Sequence, residues 1–364
     1  MKNQSTLFAF VLLLFPSLIF TQQRPKNIIL LIGDGMGISQ ITAGMYSKGR
    51  PLNLERFKYI GLIKTHSSDN LITDSAAGAT AFASGVKTYN GAIGVDTSGT
   101  AVPTILEIAS GYQLSTGVIA TSTIQHATPA AFYAHQPSRT LYEEITTDFL
   151  NGKVNIAIGG GRRLFEKRKD ERNIAVELQH MGYQFYEKLK DAQKEPVQNM
   201  MVITEKGHLS SVNRGRNHFL REATELAISQ LDKNPNGFFL MIEGSQIDWG
   251  GHSNNGDYII SEMIDFDNTI GEVLDFAEKD QETLVIVTAD HETGGFSVNN
   301  KNDRNGKLET AFTTDKHTAD LIPVFAFGPS AESFTGIYDN TEIYYKMMEA
   351  YEFEGYRTYR SADK

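Results

Sequence analysis

Carboxylates and histidines recur directly after apolar runs of this chain. Asp34 follows the first run, Glu243 and Asp248 follow the fourth, and Asp290 and His291 follow the fifth. Packing alone does not require acids and histidines at the ends of several different strands, and burying them unpaired is costly. Together these residue types are hard-cation and zinc ligands. Asp248 and His252 are four residues apart, which sets both on one face if that turn is helical, although Gly250 and Gly251 weaken a regular helix. His317 sits in Lys316-His317-Thr318.

Two tetrahedral sets can be composed, Asp248 with His252 and His317, and Asp34 with Asp290 and His291. Each leaves a fourth position open, as a catalytic zinc does. Glu243, Asp34 again and the Thr128 hydroxyl form an all-oxygen set suited to magnesium. Any one of these histidines taken alone reads more readily as a structural residue, and it is their joint pattern that points to metal. With no cysteine in the chain, zinc must be held by histidine and carboxylate.

Ser75 lies where Thr73-Asp74-Ser75 enters a run of small, helix-compatible residues, Ala76 to Ala81. A serine at a helix N-terminus sits in a field that favours an alkoxide or a phosphate. For an Asp-Ser pair taken alone a helix cap is the readier reading, and here the two roles are compatible. Arg139 stands at the start of an expected helix, where its planar fork could hold two phosphate oxygens or simply be solvated.

The elements that must position these groups alternate. Asn27 to Ile32, Ser115 to Thr121, Val154 to Gly159, Phe238 to Glu243, Thr283 to Ala289 and Val324 to Gly328 read as buried strands. Helices are expected over Ser138 to Asn151, Asp170 to Gly182, Arg216 to Lys233 and Ser261 to Lys279, and Asn299 to Lys307 as an exposed loop. The expected fold is α/β, a central, mostly parallel sheet flanked by helices on both faces. Ligands then gather beyond the carboxyl ends of the strands.

Lys2, the apolar run Leu7 to Phe20 broken by Pro16, and polar Thr21 to Gln23 read as a signal peptide over residues 1–22, cleaved near Thr21 or Gln22. An uncleaved anchor is the alternative, because no Ala-x-Ala site is present. The remainder, 23–364, reads as a single domain, periplasmic or secreted, with no stable membrane span after cleavage. At 364 residues and 40% hydrophobic content it can bury a large core. The net charge of -10 argues against nucleic acid as a partner but not against small phosphate esters, since bound cations can make one pocket positive.

With these residues in hand, the chain resembles the alkaline phosphatase family from about Asn27 to Gly328. The resemblance is carried by Gly33-Asp34-Gly35-Met36-Gly37, Asp74-Ser75-Ala76, His126-Ala127-Thr128-Pro129-Ala130-Ala131, Glu243-Gly244-Ser245-Gln246-Ile247-Asp248, Thr288-Ala289-Asp290-His291-Glu292 and His317-Thr318, in the family's order. It implies that Ser75 is a nucleophile forming a phosphoserine, that Arg139 clamps phosphate, and that the ligand sets hold two zinc ions and one magnesium. His126 stands where many bacterial members carry Asp, which implies contact with the magnesium site through water. Trp249 stands where better-known members carry Lys or His, which implies weaker phosphate binding. The short chain between His291 and His317 implies a compact member without a large crown-like insertion, and the family's habit implies a homodimer. A phosphodiesterase or phosphonate hydrolase sharing the two-metal core is the nearest alternative, and Arg139 argues for monoesters. The sulfatase signature is absent, and an exported phosphate- or metal-binding protein is the reading outside enzymes.

Overall fold

The computed structural model describes residues 24–192, 198–301 and 306–354; the expected leader over residues 1–22 lies outside them. In chain order the strands are β1 (Asn27–Gly33), β2 (Tyr59–Lys64), β3 (Ser115–Thr123), β4 (Ile156–Gly160), β5 (Gln184–Tyr186), β6 (Met200–Glu205), β7 (Phe238–Gly244), β8 (Thr283–Thr288), β9 (Glu292–Thr293), β10 (Phe296–Lys301), β11 (Leu308–Phe312), β12 (His317–Thr318), β13 (Ile322–Phe327) and β14 (Gly336–Asp339). Ten of them form one sheet in the order β14-β2-β13-β8-β1-β7-β3-β4-β6-β5. Every residue of β1, β7 and β8 is buried, so both faces of the sheet are covered at its centre. The fold is α/β, with one large, mostly parallel sheet and helices in its connections, as the alternating pattern anticipates.

All six expected strands exist, but the last differs in direction. β13 pairs antiparallel with both β2 and β8, while the other nine strands share one direction. Burial patterns do not encode strand direction. β2, β5, β6 and β14 join the edges of the sheet without having been singled out, because short or half-exposed runs give a weak periodic signal.

Among the helices, the stretch expected from Ser138 shortens to Tyr142–Thr147 followed by a 3₁₀ turn, Asp148–Asn151. Arg139 therefore lies in the preceding loop rather than at a helix start, held there because its backbone N–H donates to Gly91 O at 2.7 Å. The helix expected from Asp170 begins only at Ile174, where the Asn173 side chain accepts from the Val176 N–H. The one expected from Ser261 runs longer, Gly256–Asp280, capped by Asn255. Asn299 belongs to a strand rather than a loop: β10 pairs antiparallel with β11, and residues 302–305 of the expected loop lie outside the described residues.

The strand order β8-β1-β7 decides the site. Neighbouring strands lie about 4.8 Å apart, so the residues ending these three emerge side by side. Asp34 stands after β1, between Asp290 after β8 and Glu243 near the end of β7. Gly35 (φ +74°) lets this edge close up: a Cβ there would stand 2.7 Å from the Asp248 Cα.

Candidate metal centre and active site

Three groups of ligand atoms converge at the carboxyl edge of the sheet: Asp248, His252 and His317; Asp34, Asp290 and His291; and Asp34, His126 and Glu243, each with its ligand atoms within 4.8 Å of one another. Asp34 serves two groups because its strand lies between those of Asp290 and Glu243.

In the first group, His252 Nε2 lies 3.3 Å and His317 Nε2 3.5 Å from Asp248 Oδ1, and the two Nε2 atoms are 3.1 Å apart. Asp248 and His252 share a face because Gln246–His252 is helical after all. Its glycines are needed for close packing: a Cβ on Gly251 would stand 2.6 Å from Thr293 O. His317 arrives on β12, whose pairing with β9 sets it opposite Thr293. His252 Nδ1 meets Asp315 O at 2.7 Å and His317 Nδ1 meets Thr73 O at 2.9 Å. Carbonyl oxygens only accept, so both Nδ1 atoms carry the proton and both Nε2 lone pairs face each other and a carboxylate. Such an arrangement is repulsive unless a cation lies between them. Zinc bonds of about 2.0–2.1 Å make a tetrahedron with edges of about 3.3–3.4 Å, the spacing seen here.

In the second group, His291 Nε2 lies 3.3 Å from Asp290 Oδ2 and 3.6 Å from Asp34 Oδ1, with all three side chains buried. Asp290 Oδ1 accepts from the Gly35 and His291 N–H groups, which turns Oδ2 toward the site without a partner. Ser75 Oγ lies 3.4 Å from His291 Nε2. The helix Ser75–Ser84 reaches this depth because its residues are small and all buried, with Gly78 facing Asp290.

In the third group, Glu243 Oε2 accepts from Ser245 Oγ at 2.6 Å and Oε1 is left unpartnered. Both oxygens of Asp34, His126 Nδ1 and Thr128 Oγ1 are likewise buried without a hydrogen bond. Orphaned buried polar atoms at this density, carboxylate oxygens foremost, call for a cation. Burial, then the Asp290 charge, lifts the Asp34 carboxyl well above its ordinary range, and burial foremost pushes Glu243 up to about 7. His126 and His291 are held well below the usual histidine range, by burial first and then by Arg139 and His317 respectively. Both imidazoles are thus neutral, as metal ligation requires.

Asp74 proves to be both cap and anchor. Its Oδ1 accepts from the Ala77 and Gly91 N–H groups, and its Oδ2 from Arg139 Nη1 at 2.9 Å. Arg139 Nη2 also comes within 3.5 Å of His126 Nε2. Trp249 packs edge-on against His126 and His208, at centroid distances of 6.2 and 4.9 Å. All twelve residues singled out in the sequence therefore lie in or beside this one centre.

A model of the alkaline phosphatase family matches residues 25–306 and 297–353. The chain belongs to the alkaline phosphatase family. It is 33% identical to alkaline phosphatase 3 of Bacillus subtilis, over 91% of this chain and 90% of that protein. Identity to the alkaline phosphatase of Escherichia coli is also 33%, over 89% and 86%. The solved alkaline phosphatase of the Antarctic bacterium TAB5 superimposes with a TM-score of 0.88 at 45% identity, covering 92% of this chain and 100% of that one. A histidine-to-aspartate variant of the TAB5 enzyme, solved with Mg bound in the M3 site, matches at a TM-score of 0.87 and 46% identity. Like its relatives, this alkaline phosphatase is a metal-dependent enzyme that hydrolyses phosphate monoesters.

Two contributors escaped the sequence reading of this alkaline phosphatase. Thr293 Oγ1 donates to Asp248 Oδ1 at 2.5 Å, so its contact with His291 Nδ1 at 3.2 Å must run from the imidazole N–H to the hydroxyl oxygen. One hydroxyl thereby couples the first two groups and leaves His291 Nε2 free as a ligand. Glu292 ties β9 to β12 and to the helix Ile38–Ser47, accepting from Thr318 Oγ1 at 2.6 Å and Gln40 Nε2 at 2.7 Å. The only sequence signal for either was position directly after Asp290-His291. Thr293→Val keeps the shape and removes the bond, and is expected to weaken metal retention about 10- to 100-fold, read by chelator titration against metal content.

Proposed function

We propose that this enzyme transfers the phosphoryl group of a monoester to Ser75, forming a covalent phosphoserine that water then hydrolyses. In this reading Asp248, His252 and His317 hold one zinc, Asp34, Asp290 and His291 a second, and Asp34, Glu243 and Thr128 a magnesium, with His126 beside it. The observation that carries the reading is the pair of facing Nε2 atoms of His252 and His317, 3.1 Å apart over Asp248, with each Nδ1 on a carbonyl oxygen. Ions bound in these groups supply positive charge that stabilises oxygen anions and lowers the pKa of nearby hydroxyls.

Ser75 Oγ, deprotonated at the helix N-terminus, attacks phosphorus in line; the new P–Oγ bond forms as the ester P–O bond breaks and the departing alcohol takes up a proton. Arg139, anchored by Asp74, holds two non-bridging oxygens and neutralises charge in the transition state. Water then attacks phosphorus, the P–Oγ bond breaks, Ser75 regains its proton and phosphate leaves. His126 is neutral and Trp249 has no charge, so Arg139 is the only side-chain cation that this reading sets on the phosphate, and product is held weakly.

The same reading assigns residues 1–22 to a signal peptide and 23–364 to one catalytic domain, exported to the periplasm or beyond and pairing as a homodimer. No helix among the described residues is long and apolar enough to cross a membrane. The test is hydrolysis of p-nitrophenyl phosphate and bis-p-nitrophenyl phosphate side by side, before and after chelation and zinc restoration. Chelator-sensitive monoesterase activity restored by zinc is expected; diester preference, or activity indifferent to chelation, overturns the assignment.

A further inference from the structure

Immediately beyond Arg139 the chain lines a cavity of about 660 Å³ with Thr140, Leu141 and Tyr142. The opposite wall comes from the short helix Arg162–Glu166 with the residues after it, beyond the carboxyl end of β4, and from the loop after β6, its parallel neighbour in the sheet. The two segments are locked together by backbone: Gly161 N–H donates to Glu205 O at 3.0 Å and to Gly207 O at 2.9 Å, and Arg163 N–H to Lys206 O at 3.2 Å. A Cβ on Gly160 would stand 2.2 Å from Gly207 O, so the approach is as close as backbones allow. His208 lines the end nearest the metal centre. Its Nδ1 accepts from the Thr123 N–H at 3.0 Å and its ring packs against both Trp249 and His126.

The charge of this cavity opposes that of the protein. Arg163, Lys167, Lys169 and Lys206 line it with exposed side chains, and none forms an ion pair with a described residue. Arg168 is different, since Nε and Nη2 are both taken by Asp170. Two carboxylates face the group, and Glu143 already accepts the Lys169 N–H on both oxygens. Both Glu143 and Glu144 keep their negative charge, so the four unpaired cations outnumber the carboxylates of the wall by two. In a chain of net charge -10, such a surplus of cations beside the reacting centre focuses field onto one anionic group.

We propose that this cavity is a leaving-group subsite selecting phosphomonoesters whose alcohol portion carries a second phosphoryl group. The inference rests on the monoesterase reading of the metal centre and names its preferred substrate class. An arginine fork with clustered lysines matches a dianionic, tetrahedral group better than a single carboxylate does. The volume lies within the range of small-ligand sites and admits a leaving group of nucleoside size.

The matched substrates are para-tolyl phosphate and para-(phosphonomethyl)phenyl phosphate, which differ by one non-hydrolysable phosphonate. At low salt the ratio of their kcat/KM values is expected to favour the phosphonate by about tenfold and to fall toward unity as salt screens the cavity. In the double variant Arg163→Glu and Lys206→Glu the ratio should drop to about one or below. Lys167→Glu, at an exposed position, should lower it in the same direction and covers the case of a double variant that does not fold. A wild-type ratio near one, or a preference unaltered in these variants, overturns the subsite. Turnover of neither ester by the zinc-restored wild type would instead overturn the monoesterase reading on which it rests.

Discussion

Ser75→Ala is expected to lower kcat by about 10^4-fold or more and to abolish the phosphoenzyme, while metal content stays at the wild-type level. The substitution removes one oxygen and little else. Ser75 is the first residue of its helix, alanine is compatible with that position, and the cap is supplied by Asp74. None of the carboxylates or histidines of the three ligand groups depends on the Ser75 hydroxyl for orientation: Asp290 is turned by Gly35 and His291 backbone, and His291 by Thr293. A loss of activity with intact metal therefore isolates the nucleophile. Acid-quench trapping of radiolabelled phosphate on the protein reads the intermediate directly, and a variant that still turns over near the wild-type rate would remove Ser75 from the reaction.

Asp34→Asn has the second large effect, and it separates stability from function. Asp34 stands in two ligand groups, so losing its charge is expected to weaken metal retention in both by about a hundredfold or more. Activity goes with the metals. The metal-free fold should respond in the opposite sense. Asp34, Glu243 and Asp290 are buried together, and burial raises all three carboxyl pKa values. A raised carboxyl pKa means that the folded state binds protons more tightly than the unfolded one. The contribution of these three groups to the stability of the metal-free protein is then full below the ordinary carboxyl range and is lost as pH rises through about 7, the value reached by Glu243. Asp34→Asn deletes one of these buried charges and should flatten that loss. Thermal unfolding of chelated protein at about pH 5 and pH 8 reads both effects; a metal-free wild type that is more stable at the higher pH would contradict the account. Restored metal should reverse the slope, because its ligands must be deprotonated to bind.

The two effects share one cause, a knot of buried acceptors whose charge must be met by bound cations or, in their absence, by protons. Local sequence carries much of that knot. Asp34, Asp290 and His291 follow apolar runs whose uniform burial reads directly as central strands, Glu243 closes another such run, and Asp248 and His252 have helical spacing whatever the rest of the chain does. Ligand types at strand ends, the absence of cysteine and the small residues behind Ser75 were likewise legible, because each follows from composition within a few positions.

What tertiary structure alone decided is the pairing across long separations. His317 joins His252 from 65 residues away, and the β9–β12 pairing together with the Thr73 and Asp315 carbonyls sets that contact. The placing of Arg139 depended on Asp74 and Gly91 rather than on helix propensity, which is why the expected helix start dissolved into a loop. Thr293 acquired its function from two hydrogen bonds that no periodicity encodes. Strand order did the rest: β8-β1-β7 could not be read from three equally apolar runs, yet it is what sets Asp34 between Asp290 and Glu243. Burial and spacing are local properties of a chain, whereas strand order and direction are settled by packing among elements far apart in sequence.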